Sequence, residues 1–289
     1  MKDYLIRAID KTGNIRVFVA DTTNLVEKAR TTHNTSPTAT AALGRTLTAG
    51  AIMGAMMKNK DDKLTLKIAG GGSIGTIMVV ANNEGVIKGY ADNPSADVES
   101  KGNGKLDVAG IVGSHGHMTV IMDLGLKEPY VGQSPMVSGE IAEDLAYYYL
   151  NSEQQPSAVA LGVLVDKDIS TRAAGGYIIQ LLPDVKEEDI VKIENAIENI
   201  EPISTLIDQG LSPEDIMEKV LGEFDMKVLD KIDLEYSCDC SRDRIEEVLK
   251  SLGEYEIKAM IEEDGQAEVV CHFCNTDHQF SKEELEKLI

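Results

Sequence analysis

Apolar and polar positions alternate with a period of two through much of the first 180 residues. "YLIRAID" and "IRVFVA" flank the turn "KTGN", "KLTLKIA" and "IGTIMVVA" flank a glycine cluster, and "VIKGYA" follows the turn "NNEG". A further hairpin joins "SAVALGVLVD" to "GGYIIQLLP". Strand, turn and strand in succession predict antiparallel meanders rather than regular βαβ units. The period lengthens to that of a helix over about 25–32, 37–57 and 139–152. The second of these, "ATAALGRTLTAGAIMGAMM", is long enough to span a bilayer, but it holds Arg45, several threonines and three glycines. Ser36 and Pro37 supply an N-cap and a first-turn proline, so it reads as a buried helix of a globular domain.

After Pro183 the texture turns helical. Ile190, Ile193, Ile197 and Ile200 recur at spacings of three and four, and "SPEDIMEKVLGEF" opens on a capping serine followed by proline. Pro202, Gly210, Pro213 and Gly222 keep these helices short. From about residue 231 a compact module is expected: a cysteine pair, two helices, the turn "EDGQ", the strand "AEVV", a second cysteine pair, and a last helix capped by Ser281 and Glu284. The predicted class is α+β: an N-terminal domain of antiparallel sheets with packed helices (1–183), a helical linker (184–230) and a small C-terminal α+β module (231–289).

Charge sharpens that division. Residues 1–183 carry 19 acids and 17 bases, whereas residues 184–289 carry 30 acids and 11 bases. An acidic half without clustered Lys and Arg argues against nucleic acid as a partner. The first residues lack a secretory or transit pattern, so a cytoplasmic location with reduced thiols is expected.

The only four cysteines are Cys238, Cys240, Cys271 and Cys274. A C-x-C pair and a C-x-x-C pair separated by thirty residues present four thiolates as a structural zinc site does, one ion per chain. Polar neighbours such as Asp239, Ser241 and Asn275 argue against buried core cysteines. A module of about sixty residues with few large apolar side chains is marginal unaided, and a metal supplies what it lacks. C-x-C also holds its sulfurs near enough for modest bending to join them once a metal leaves. His272 and His278 lie beside the second pair but are not expected as ligands, because four thiolates already complete the site. His115 and His117 in "GSHGHM" read as a turn between strands.

"GGGSIG" matches a dinucleotide-binding fingerprint through Gly70, Gly72 and Gly75, but a β-branched run follows where a helix is needed, so these glycines read as a hairpin. Seven of the eleven methionines fall between Met53 and Met136, a pattern that belongs to cores more often than to binding surfaces. Four thiolates close a metal to substrate, and no carboxylate pair or Ser-His-Asp arrangement appears, so no enzyme is expected. C-x-x-C without a βαβ context argues against a thiol oxidoreductase. A zinc-ribbon adaptor, active in the reduced state, is the alternative.

Together, "CDC", "CHFC", the acidic helical stretch before them, and "SPTATAALGRTLTAGAIMGAMMK", "KLTLKIAGGGSIG" and "AAGGYIIQLLP" resemble the redox-regulated heat-shock holdases, the 33 kDa chaperonin family, over essentially the whole chain. The resemblance implies an inactive zinc-bound monomer when reduced. It implies disulfides Cys238–Cys240 and Cys271–Cys274 on oxidation, loss of zinc, unfolding of the C-terminal module and linker, and an active homodimer that holds unfolded client proteins.

Overall fold

A computed structural model describes residues 2–102 and 104–289. In chain order the elements are β1 (Tyr4–Ile9), β2 (Ile15–Asp21), α1 (Thr23–His33), α2 (Pro37–Gly54), β3 (Lys63–Ala69), β4 (Ile77–Ala81), β5 (Val86–Ala91), α3 (Val108–Val112), β6 (His117–Asp123) and β7 (Tyr130–Pro135). There follow α4 (Ala142–Asn151), β8 (Ser157–Val165), β9 (Thr171–Leu181), α5 (Glu187–Glu198), α6 (Ile203–Asp208), α7 (Pro213–Leu221), β10 (Lys227–Asp233) and β11 (Glu235–Tyr236). The chain closes with α8 (Arg242–Leu252), α9 (Glu254–Glu263), β12 (Gln266–Val270), β13 (Asp277–Ser281) and α10 (Lys282–Leu285). The expected α+β class with antiparallel sheets is what is seen.

Two compact units divide the chain between Tyr236 and Ser237. In the first, β10-β1-β2-β9-β8 form one sheet and β11-β5-β4-β3-β6-β7 another. All pairings are antiparallel except the short parallel one between β11 and β5. The helix read as buried, α2, packs on strands of both sheets. Ser36 caps it by accepting from the Ala39 amide, with Pro37 in its first turn. It is buried on every side, which explains its small residues. A Cβ on Gly44 would stand 2.8 Å from Val163 of β8, and one on Gly50 would stand 2.5 Å from Val79 of β4. No described helix is long and apolar enough to cross a membrane.

The glycines of "GGGSIG" join β3 to β4, which pair antiparallel. The C-terminal end of α3 presses against them: a Cβ on Gly72 would meet the Ile111 carbonyl oxygen at 2.1 Å, so nothing larger fits. Helix α3 was not legible in the sequence, and His117 opens β6 rather than completing a turn, although His115 does lie in the loop before it.

The linker helices cover the far side of the first sheet. Ile193, Ile203, Leu206, Ile207, Ile216 and Leu221 join Ile6, Val17, Val19 and Ile179 in one cluster. With helices on both of its faces, β9 is buried almost continuously and shows no alternation. The boundary expected at 230/231 falls inside β10, which pairs along its length with β1, so the linker ends in a sheet of the first unit. Tyr236 closes that unit, its hydroxyl donating to the Gly89 carbonyl at 2.8 Å and lying 2.9 Å from His33 Nε2.

Candidate metal centre

The second unit, residues 237–289, is built on a hairpin and three helices around a core of five buried apolar side chains: Ile245, Leu249, Ile257, Phe280 and Leu285. The predicted box at its last helix is present, Ser281 and Glu284 satisfying each other's backbone amides. β13 was missed because "DHQFS" is polar and short; it pairs with β12 from Val270–Asp277 to Gln266–Ser281.

The second cysteine pair occupies the tip of this hairpin. The Cys271 amide donates to the Thr276 carbonyl at 3.0 Å, and the amides of Cys274 and Asn275 both turn back to the Cys271 carbonyl, at 3.3 and 2.8 Å. Asn275 takes a left-handed conformation, φ 54°, which lets the turn close. Cys238 and Cys240 lie on the irregular segment between β11 and α8. That segment is held by its neighbours: Ser241 caps α8, Asp239 pairs with Arg244 at 2.5 Å, and the Arg242 guanidinium lies 4.3 Å from the Phe280 ring centroid while reaching Glu284 at 2.7 Å. These supporting roles went unnoticed in the sequence, where basic residues after a cysteine pair look like solvated surface.

The four thiols converge. Cys238 and Cys271 sulfurs are 3.7 Å apart, those of Cys240 and Cys274 are 3.2 Å apart, and all four lie within 4.8 Å of one another. A tetrahedron with metal–sulfur bonds of about 2.3 Å has edges of about 3.8 Å, so the separations are compatible with a zinc site. All four cysteines are free and half-buried. No histidine or carboxylate joins the cluster among the described residues, and His115 and His117 belong to the other unit. His278 stands on β13 facing Val269 across the hairpin, its Nε2 buried and without a hydrogen-bond partner.

The thiols differ in acidity. Burial and the adjoining sulfurs push Cys240 far above the usual thiol range, and burial also raises Cys238. Burial acts on Cys274 in the same sense, but the Thr276 hydroxyl at 3.2 Å and the Cys240 thiol outweigh it and bring Cys274 down to about 7. Thiolates packed this closely would repel one another, and a divalent cation removes that conflict by holding all four as thiolates.

Comparison with known proteins agrees over the full length. The model of the family described as Hsp33 protein matches residues 3–281. The "33 kDa chaperonin" of Alkaliphilus metalliredigens (strain QYMF) is 52% identical, covering all of this chain and 99% of that relative. The "33 kDa chaperonin" of Bacillus cereus (strain AH187) is 51% identical with the same coverage. The crystal structure of the 33 kDa chaperonin of Thermotoga maritima matches with a TM-score of 0.92 at 39% identity, covering all of this chain and 98% of that one.

Proposed function

The chain belongs to the Hsp33 family of heat-shock chaperones, which are not enzymes, and from that membership we propose that it is a holdase switched by oxidation of its four cysteines. The observation that carries this reading is the convergence of those thiols within 4.8 Å in a 53-residue unit with only five buried apolar side chains. Reduced Cys238, Cys240, Cys271 and Cys274 hold one zinc ion, and the protein is an inactive cytoplasmic monomer. The ion supplies the coordination energy of a structural site, about 10–16 kcal/mol in small zinc modules.

A peroxide- or hypochlorite-class oxidant takes two electrons from each cysteine pair. One S–S bond would form between Cys238 and Cys240 and another between Cys271 and Cys274. Zinc-bound thiolates carry no protons, so solvent supplies those that the reduced oxidant takes up as it becomes water or chloride and water, and the metal ion is released to solvent. No thiolate then remains to hold a metal, and the second unit unfolds. The folded unit holds Cys240 and Cys274 sulfurs 3.2 Å apart, across the pairs, yet local disulfides win as it opens, because rings spanning one or two residues close at the least entropic cost. Peptide mapping after peroxide should find the two local bridges; a predominant Cys240–Cys274 bridge would overturn this order of events.

Loosening of α5–α7 then presents their isoleucine faces, and the sheet they cover, to unfolded clients and to a second protomer. Helix α5 is poised for this, since it buries only Ile193, and an apolar groove of about 580 Å³ lined by Tyr147, Leu150, Ile179, Ile190 and Ile197 runs beside it. The deciding experiment measures light scattering by a heat-labile test protein in the presence of this chain, reduced and oxidised. Suppression only after oxidation, with zinc released, supports the switch. Activity confined to the reduced, zinc-bound protein would favour an adaptor instead.

A further inference from the structure

Inside the first unit, between α2, α4 and the inner faces of the two sheets, lies a cavity of about 260 Å³. Met53 lines it from the end of α2, Met57 from the turn that follows, Met122 from β6, Tyr149 from α4, Arg16 from β2 and Gln180 from β9. We propose that it binds a small monocarboxylate with an apolar chain, the carboxylate on Arg16 and the chain among the methionines.

Polar groups in the wall are committed in a way that leaves one charge unanswered. Glu153 accepts from the Tyr148 hydroxyl at 2.5 Å and from Tyr130 at 3.4 Å. The Tyr149 hydroxyl donates to the Met56 sulfur at 3.3 Å. Arg16 donates through Nε and Nη2 to the single Oε1 of buried Gln180, at 3.0 and 2.6 Å, and its guanidinium lies 5.6 Å from the Phe18 ring centroid. Among the described residues no carboxylate pairs with it. Burial, with a smaller push from the Arg7 charge, pulls its ionisation below the ordinary arginine value. A half-buried cation facing a cavity with an amide oxygen as its only hydrogen-bond acceptor calls for an anion, and a guanidinium fork suits a carboxylate.

The rest of the wall selects the remainder of the ligand. Thioethers are flexible and apolar, and they adapt to a chain without fixed shape. The volume falls below the roughly 300–1,000 Å³ of sites for drug-sized ligands, which limits the occupant to a short chain. Any ligand carboxylate shares the cavity with Glu153, but the first is answered by Arg16 whereas a second would find only repulsion, and an ammonium would meet Arg16, so dianions and amines are disfavoured.

Titration calorimetry of the full-length reduced protein with octanoate, octanol and octylamine tests this assignment. One octanoate should bind per chain, with octanol and octylamine weaker by roughly tenfold or more, the effect of losing one charge-assisted pairing. Arg16→Met should weaken octanoate by a similar factor and leave octanol unchanged, and Met57→Trp, which fills the cavity, should abolish binding of both. Equal affinity for octanoate and octanol, or unchanged binding by Met57→Trp, overturns the proposal. Should Arg16→Met not fold, the unsubstituted protein decides: octanoate but not octanol should slow phenylglyoxal modification of Arg16 mapped by mass spectrometry, and equal modification with either sinks the assignment.

Discussion

In the first unit, α2 is buried along nearly its whole length between two sheets; in the second, α8 is of ordinary length yet buries only Ile245 and Leu249. Even the smaller apolar cluster of the first unit holds seventeen buried side chains, against five in the second. A 53-residue unit with that core has little surplus after conformational entropy is met, whereas the first unit is large enough to stand on burial alone. The second unit therefore depends on whatever holds its sulfurs together. That is the physical requirement of a switch: one part must fail at a chemical signal that the other ignores.

The largest effect that tests this contrast comes from taking the metal away. Chelation of the reduced protein, or the double substitution Cys271→Ser, Cys274→Ser, should remove most of the roughly 10–16 kcal/mol that a structural zinc contributes. Hydrogen exchange should show residues 237–289 losing protection while β3 and its partners β4 and β6 keep theirs. Undiminished protection of β12 and β13 in the double variant would mean that the small core suffices, and the contrast would collapse.

Next in size is the loss of one aromatic side chain from each unit. Phe280 and Phe18 are both essentially fully buried, and truncation of either to alanine should cost about 3–5 kcal/mol. Phe18→Ala should leave the first unit folded at room temperature with a lowered melting point. Phe280→Ala removes one of five core residues and the surface on which Arg242 rests, so a chelator should strip the metal much faster than from the unsubstituted protein. Equal stripping rates would show that the core contributes nothing to metal retention.

The contrast was partly legible in the sequence. Four cysteines in two tight pairs and the change in charge after Pro183 mark out the metal centre and the acidic region, and Ser36, Ser212 and Ser281 announce three helices that the structure caps as expected. What escaped were elements stabilised by distant partners. β10 is an exposed edge strand, "KVLDKID", whose pairing with β1 bridges more than two hundred residues, and no local pattern encodes it. β7 is likewise an edge, with Tyr130 and Val131 exposed and its buried positions taken by Gly132 and Ser134, so it shows no apolar alternation. The supports of the cysteines, Arg242 on Phe280 and Arg244 on Asp239, require knowledge of which surfaces meet.

A smaller effect separates the units by pH. Glu27 on α1 accepts from Arg30 at 2.6 and 2.8 Å and from the Thr171 amide at 2.8 Å, tying α1 to the start of β9. The Arg30 bonds hold its carboxyl below the ordinary range. Because the folded value is depressed, the contribution is complete above the unfolded carboxyl value of about 4.3 and fades as pH falls through the folded one. Glu27→Gln should lower the melting temperature of the first unit by about 2–4 °C at pH 7, corresponding to roughly 1 kcal/mol in a unit of this size. The difference should shrink steadily as pH falls below about 4; a gap that stays constant through acid titration would show that the charge is not what matters.

The smallest expected effect lies closest to the metal centre. Asp239 stands between Cys238 and Cys240 and pairs with Arg244, but both side chains are more than half exposed, 57% and 52%. Water screens such a pair, and exposed pairs of this kind contribute about 0–1 kcal/mol. Arg244→Ala should therefore change the rate of chelator-driven metal loss by less than about fivefold, the factor that 1 kcal/mol represents. Phe280→Ala should exceed it clearly. The order matters more than either number, because it distinguishes a segment positioned by packing from one positioned by charge. If Arg244→Ala released the metal as fast as Phe280→Ala does, and added salt accelerated release from the unsubstituted protein to the same degree, the Cys238–Cys240 segment would be held by its ion pairs. The second unit would then be an electrostatic clasp rather than a small core pinned by its sulfurs.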